Sequence, residues 1–226
     1  MNCEGGSRLV SRKLIEAHEA ERMRVARNLH DDIGQRMAVV TMDLDALARD
    51  VPLETTEARD RIRAVSDRTL ALAKDIQTLS HGLYPPKLDY LGIVSASAAL
   101  CRDMSDRQKV EVAFSHEGIP DGVPIAVALP LFRVLQEAVT NAVTHARADR
   151  VTVTLTGTPN EIRLEIVDAG TGFDVDAELK GRGLGLVGMQ ERARAANGEL
   201  IIQSRPGAGT SISARVPISS GPSQLK

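Results

Sequence analysis

What most constrains this chain is its pair of long apolar seams with helical spacing. In residues 13–50, a stretch without a helix breaker, apolar side chains recur at Ala26, Leu29, Ile33, Met37, Val40, Leu44 and Leu47, in alternating steps of three and four. That alternation is the seam of a helix bundle. Pro52 disfavours helix at the residue before it and closes the first helix near Asp50. A second helix begins near Thr55 or Thr56, with Glu57 and Asp60 favourably placed in its first turn. Its seam runs through Ile62, Val65, Thr69, Leu72, Ile76, Leu79 and Leu83. Two long helices joined by a short loop form an antiparallel hairpin, and each helix covers the other on one side only. Full burial of a Leu or Ile stabilises by about 1.5–3 kcal/mol, so a wet stripe of them favours association. The pattern therefore predicts that two chains pair their hairpins into a four-helix bundle.

One segment of the first helix carries chemistry. In Arg27 to Gln35, RNLHDDIGQ, His30 follows the seam residue Leu29 and so lies at the edge of the packed face, where a side chain reaches solvent. Asp31 adjoins it, and Gln35 is one helical turn beyond Asp31. A carboxylate that holds one imidazole nitrogen leaves the lone pair of the other outward, which makes a neutral histidine a nucleophile. A histidine at the edge of a bundle is more often a solvated surface residue, so the second half of the chain decides between the two readings.

Composition narrows the field. A formal net charge of -2 and a pI near 6.2 provide no electrostatic basis for nucleic acid or an anionic membrane as the main partner. Aromatics are 2% of residues and Trp is absent, which argues against a base-stacking platform for single strands. Cys3 and Cys101 match no metal spacing and suit a reducing cytosol. No apolar run approaches the ~18 residues of a membrane span, so a soluble, cytoplasmic chain is expected.

Gly82 and the Pro85-Pro86 pair end the second helix, and the pattern then changes character. A short helix over 93–104 is expected, then a strand over 110–114, a turn-rich loop to Pro124 and a helix over 125–145. Alternating strands follow at 150–156 and 161–167, then a glycine-rich stretch over 168–188 that runs into a helix over 186–196. Two closing strands are expected at 199–204 and 210–216. Hairpin strands mixed with helices imply an α+β sandwich, one mixed sheet with helices on one face. The expected division is a frayed 1–10, a helical domain 11–84, a hinge 85–92, a mixed domain 93–218 and a disordered tail 219–226.

Three pieces of the mixed domain have functional spacing. Glu137, Asn141 and His145 lie four apart on one helix face. A carboxylate and a carboxamide at that interval are hard oxygen ligands suited to Mg²⁺, which keeps room for phosphate oxygens. In DAGTG, Asp168 ends a strand and accepts a hydrogen bond from an exocyclic amine such as adenine N6, whereas guanine offers an acceptor there. Gly170 and Gly172 allow backbone to approach a base closely. GRGLGLVGM, with Gly181, Gly183, Gly185 and Gly188, leads into a helix whose first amides face phosphate.

The ordered array QEAVTNAVTHA, DAGTG, GRGLGLVGM and GAGT resembles the N, G1 and G2 boxes and the closing motif of the Bergerat-fold ATPase domain. That fold is shared by histidine kinases, gyrase, Hsp90 and mismatch-repair ATPases. With ERMRVARNLHDDIGQ upstream, the chain looks like a two-component histidine kinase of the nitrate-sensor and degradation-sensor class, over a match from about Glu19 to Val216. The resemblance implies His30 as phosphoacceptor, with Asp31 its acid/base. It implies Asn141 as Mg²⁺ ligand and Glu137 as metal-site or acid/base partner. Asp168 would be the adenine reader and Thr210 a second contact near the base. His145 and Arg182 would contact phosphate, with Gly183, Gly185 and Leu186 in the lid over ATP, and Gln35 would be the phosphatase element. It further implies a homodimer and a response-regulator partner with a receiver domain, joined in many such regulators to a helix-turn-helix. Departures are a short segment of residues 173–180 between the second and third boxes, and no phenylalanine-rich box. Two other readings of the same motifs are a nucleotide-binding dimeric scaffold without turnover and an anti-sigma-type serine kinase or ATPase.

Overall fold

In the computed structural model, described over residues 3–50, 56–180 and 184–218, the chain divides into two compact units. One is the helical unit Lys13–Pro86; the other takes in the residues up to Arg12 and the mixed α/β region from Lys87 onward.

The helical unit is the predicted hairpin, with one feature the apolar pattern did not announce. Helix α1 (Cys3–Asn28) and helix α2 (Gln35–Asp50) are joined in line by a π-helical segment, Leu29–Gly34, and α3 (Thr56–Leu83) returns alongside. The expected uninterrupted α-helix over 13–50 is thus corrected. A π turn takes up about one more residue than an α turn, so every side chain beyond it is rotated relative to the sequence register. Thr41 is buried and Met37 and Leu44 are half-buried, while Ile33, Val40 and Leu47 are 39%, 47% and 44% exposed. The seam of α3 divides likewise. Ser66 and Ser80 are buried, with Ile62, Thr69 and Ile76 half-buried, while Val65, Leu72 and Leu79 are 47%, 55% and 63% exposed. Serine suits the inner face because each hydroxyl finds an acceptor: Ser80 Oγ donates to the Ala26 carbonyl at 2.8 Å and Ser66 Oγ to Asp45 Oδ1 at 2.9 Å. Arg22 Nη2 adds a bond to the Gly82 carbonyl at 3.1 Å. The hairpin therefore has a small-residue inner seam and an apolar outer stripe.

The mixed unit begins with α4 (Pro86–Gln108), bent at Gly92, where φ is 73°. The stretch expected as a hinge is thus helical from Pro86 up to that bend. Then come β1 (Glu111–Glu117), α5 (Ile125–Thr144), β2 (Arg150–Gly157) and β3 (Glu161–Asp168). A short α6 (Val175–Lys180), α7 (Leu184–Ala195), β4 (Glu199–Ser204) and β5 (Thr210–Pro217) complete it. The sheet order is β1-β2-β3-β5-β4, with β1 parallel to β2 and the other pairs antiparallel. Period-two burial is clean: Val151, Val153 and Leu155, then Ile162, Leu164 and Ile166, then Ile212, Ala214 and Val216 point to one face. That face packs on Leu131, Leu135, Ala138 and Val139 of α5 and on Met189 of α7 to make one core. The expected sandwich, with helices on one face of a mixed sheet, is the observed one. Helix α6 lies within residues 173–180, the short segment between the second and third boxes.

Candidate nucleotide site

Helix α5 crosses the inner face of the sheet with one apolar stripe buried, and this turns its Glu137, Asn141 and His145 to a common edge. All three line a cleft of about 460 Å³. Asn141 Nδ2 lies 3.5 Å from Glu137 Oε1, so the two side chains are neighbours in space as in spacing. Asp168, only 8% exposed at the end of β3, faces the same cleft; its Oδ1 accepts the Gly170 N–H at 2.8 Å. That bond orients the carboxylate and leaves Oδ2 available to a ligand's donor. Thr210, 8% exposed, and Ile212 on β5 supply another wall. Phe173, Glu178 of α6, and Gly185 and Leu186 of α7 supply the rest. The alanines 138, 142 and 146 with Phe173, Leu186 and Ile212 make an apolar slot holding a few polar groups, the composition of a small-molecule site.

The glycines have roles that spacing alone did not reveal. The volume a Cβ would need at Gly170 is filled by the Ala146 carbonyl and Cβ. At Gly172, where φ is +58°, that volume is filled by the Arg205 and Gly209 carbonyls. Both therefore let the DAGTG loop lie between the end of α5 and the β4–β5 turn, where Thr171 N–H bonds the Ala146 carbonyl at 2.9 Å and Gly207 N–H bonds the Thr171 carbonyl at 2.6 Å. A Cβ at Gly185 would meet Glu137 Oε1, so the carboxylate of α5 takes its present place beside α7 because residue 185 has no side chain, and an added methyl would push it aside.

Of the residues singled out from sequence, Glu137, Asn141, His145, Asp168, Gly172, Gly185, Leu186 and Thr210 line this cleft. Gly170 braces it from behind. Arg182 and Gly183 lie outside the described residues. His30 and Asp31 lie on the π segment, with Asp31 exposed, and Gln35 is the exposed first residue of α2; the structure describes His30 through its backbone alone. Thr171, Phe173 and Glu178 line the cleft without having been singled out. Thr171 stands inside DAGTG, and the only signal for Phe173 and Glu178 was their place soon after it.

A strand-end carboxylate facing a polar helix edge across an apolar slot, with a glycine-bounded helix at the rim, defines a Bergerat-type nucleotide-binding domain. The profile of the family described as "Histidine kinase-, DNA gyrase B-, and HSP90-like ATPase" matches residues 126–220, and that described as "Histidine kinase" matches residues 21–88. The chain thus carries the helical domain and the ATPase domain of histidine kinases, and these two domains are those of a kinase-type enzyme. It is 35% identical over 210 residues to the sensor histidine kinase MctS of Rhizobium johnstonii, covering 92% of this chain and 45% of that protein. It is 34% identical over 211 residues to the oxygen sensor histidine kinase NreB of Staphylococcus carnosus, covering 93% of this chain and 60% of that protein. The chain thus spans about half the length of these curated relatives. The solved histidine kinase domain of the Erythrobacter litoralis EL346 blue-light activated kinase shares the fold, with a TM-score of 0.51 at 18% identity, over 82% of this chain and 95% of that one.

Proposed function

We propose that the chain transfers the γ-phosphoryl group of ATP to His30 and then passes it to an aspartate on a response regulator's receiver domain. In the first step the imidazole nitrogen forms a bond to γ-phosphorus, the bond from phosphorus to the β,γ-bridging oxygen breaks, and ADP leaves; Asp31 holds the proton of the other ring nitrogen. The observation that carries the reading is the cleft itself: Asp168 at its base-reading end and the Glu137–Asn141 pair on its helical edge, in one chain with the His-Asp helix.

Among the described residues no group of three or more His, Cys, Asp or Glu side chains gathers to hold a metal ion. Mg²⁺ needs no such cage, because it keeps waters and phosphate oxygens and takes one or two protein ligands. Asn141 and Glu137 fit that requirement. The ion would neutralise charge on the phosphates, which matters here because the described lining of the cleft holds Glu137, Asp168 and Glu178 and no Lys or Arg. His145 and Arg182 are assigned to the phosphates, with Gly183, Gly185 and Leu186 closing over them.

The outer stripe of Ile33, Val40, Leu47, Val65, Leu72 and Leu79 supports a homodimer through a four-helix bundle. Within residues 85–92 the bend at Gly92 is the hinge about which the ATP-binding unit moves relative to His30. Gln35 orients the water that hydrolyses the regulator's phosphoaspartate. The linker HGLYPPKLDYLG and the ERMRVARNLHDDIGQ segment favour the nitrate-sensor and degradation-sensor subclass. No described helix is long and apolar enough to cross a membrane, and a cytoplasmic location with a helix-turn-helix regulator as partner belongs to this reading.

The test is incubation of the full chain with γ-labelled ATP and Mg²⁺. Acid-labile label on the wild type, lost in His30→Gln with nucleotide binding retained, is the expected result. Label that survives in His30→Gln removes His30 from its role, and acid-stable label on a partner protein favours the serine-kinase reading instead. Gln35→Ala is expected to slow loss of phosphate from the regulator while leaving His30 labelling intact.

A further inference from the structure

Backbone register sets three polar residues in one row across the sheet: Asp168 pairs with Thr210, and Thr210 with Ser204. Asp168 and Thr210 line the cleft; Ser204 is next in line behind Thr210. Its hydroxyl meets three groups. Ser204 Oγ accepts the Phe173 N–H at 2.9 Å, lies 2.9 Å from the Gly209 carbonyl oxygen, and lies 3.2 Å from Thr210 Oγ1.

A hydroxyl has one proton and two lone pairs, and this fixes the direction of each bond. The Gly209 carbonyl only accepts, so the Ser204 proton goes to it. The Phe173 amide fills one lone pair of Ser204, and the second lone pair is left to receive the Thr210 proton. Thr210 then spends its only proton inward and shows the cleft lone pairs alone. Beside it, the free oxygen of Asp168 is also an acceptor. Two adjacent acceptors facing purine position 6 receive the N–H bonds of an exocyclic amine and oppose a carbonyl oxygen at the same place.

We propose that Ser204 is a positioning residue that sets the polarity of the Thr210 hydroxyl and so helps the cleft choose a 6-amino purine over a 6-oxo purine. The inference rests on the reading of this cleft as the ATP site. Without the Ser204 hydroxyl, Thr210 loses the acceptor that holds its proton inward, and its O–H turns to donate toward the ligand. A 6-oxo group then gains a partner. Ser204 also anchors the first residue beyond DAGTG through the Phe173 amide, so its loss loosens the rim, but that effect does not distinguish the two bases.

The experiment is titration of the full chain with ATP and with inosine triphosphate, in Mg²⁺, for wild type, Ser204→Ala, Ser204→Cys and Ser204→Thr. The two nucleotides differ only along one edge of the base, with an exocyclic amine and an unprotonated N1 in ATP against a carbonyl and an N1–H in inosine triphosphate, so the ratio of their dissociation constants isolates the base contact. One hydrogen bond's worth of discrimination predicts that this ratio shrinks about three- to tenfold in Ser204→Ala and Ser204→Cys and is retained in Ser204→Thr. In a Thr210→Val background, Ser204→Ala is expected to move the ratio by less than about twofold, because the hydroxyl it controls is gone. A Ser204→Ala chain that binds both nucleotides more weakly but keeps the wild-type ratio overturns the proposal. So does a ratio change of equal size with and without the Thr210 hydroxyl. Wild-type protein that binds neither nucleotide overturns the ATP-site reading itself and this inference with it.

Discussion

The outer stripe of the hairpin makes dimerisation a quantitative matter. Leu72 and Leu79 are 55% and 63% exposed, so roughly half of the surface of each is still available for burial by a partner. Full burial of a leucine is worth about 1.5–3 kcal/mol, which leaves about 1 kcal/mol for each of these side chains. Replacing both by serine removes four such contributions from a two-fold dimer, about 4 kcal/mol in all, or roughly a thousandfold in dissociation constant. The residues of the hairpin's inner seam, Ser66, Ile76 and Ser80, are all retained in this variant. Sedimentation equilibrium over a concentration series measures the constant, and circular dichroism checks that helix content is unchanged. The expected outcome is a micromolar wild-type dimer, or tighter, and a Leu72→Ser/Leu79→Ser chain that is monomeric at tens of micromolar. A wild-type monomer at micromolar concentration, or a double variant with an unchanged dissociation constant, would refute the assignment of this stripe to the partner.

Two further outcomes follow from the mixed unit. Gly185→Ala places a methyl group against Glu137 Oε1 and forces the carboxylate aside; a displacement of about 1 Å at a reacting group costs on the order of 100-fold, so labelling of His30 is expected to slow by about that factor while ATP affinity changes far less. Parallel single-turnover labelling and nucleotide titration measure the two quantities. Cys101, 1% exposed, has its thiol pushed from 9.0 up to about 12 by burial, against a smaller opposing effect of Arg102. Its proton is therefore held more tightly in the folded state: below pH 9 the thiol adds no pH dependence, and between pH 9 and 12 the unfolded chain ionises first and stability falls by up to about 1.4 kcal/mol per pH unit. In urea melts from pH 7 to 10 the stability difference between wild type and Cys101→Ala is expected to be constant except at the alkaline end, where it shifts as wild type loses stability, and iodoacetamide is expected to modify Cys101 in denatured protein far faster than in native protein.

Much of the nucleotide cleft was legible locally. Glu137, Asn141 and His145 share an edge because a helix repeats every 3.6 residues, and Asp168 falls at a strand end because the alternation of Ile162, Leu164 and Ile166 runs directly into it. The order of these pieces carried the family resemblance, since one helix face, one strand end and one glycine run follow each other along the chain. The hairpin was legible for the same reason, as two seams with a proline-marked stop between them.

Packing decided the rest, because it depends on groups distant in sequence. The seams of both helices split, with Val40, Leu47, Leu72 and Leu79 outward, and a π segment sits at Leu29–Gly34, where no residue pattern within the helix marks that one turn takes an extra residue. The brace of Gly170 on Ala146 and the seat of Glu137 on Gly185 join segments more than twenty residues apart. The row from Asp168 through Thr210 to Ser204 exists only once three strands have taken their register. Sequence periodicity determined which face of each element is polar. Only the tertiary structure decided which polar groups meet, and hence the direction in which each hydroxyl gives its single proton.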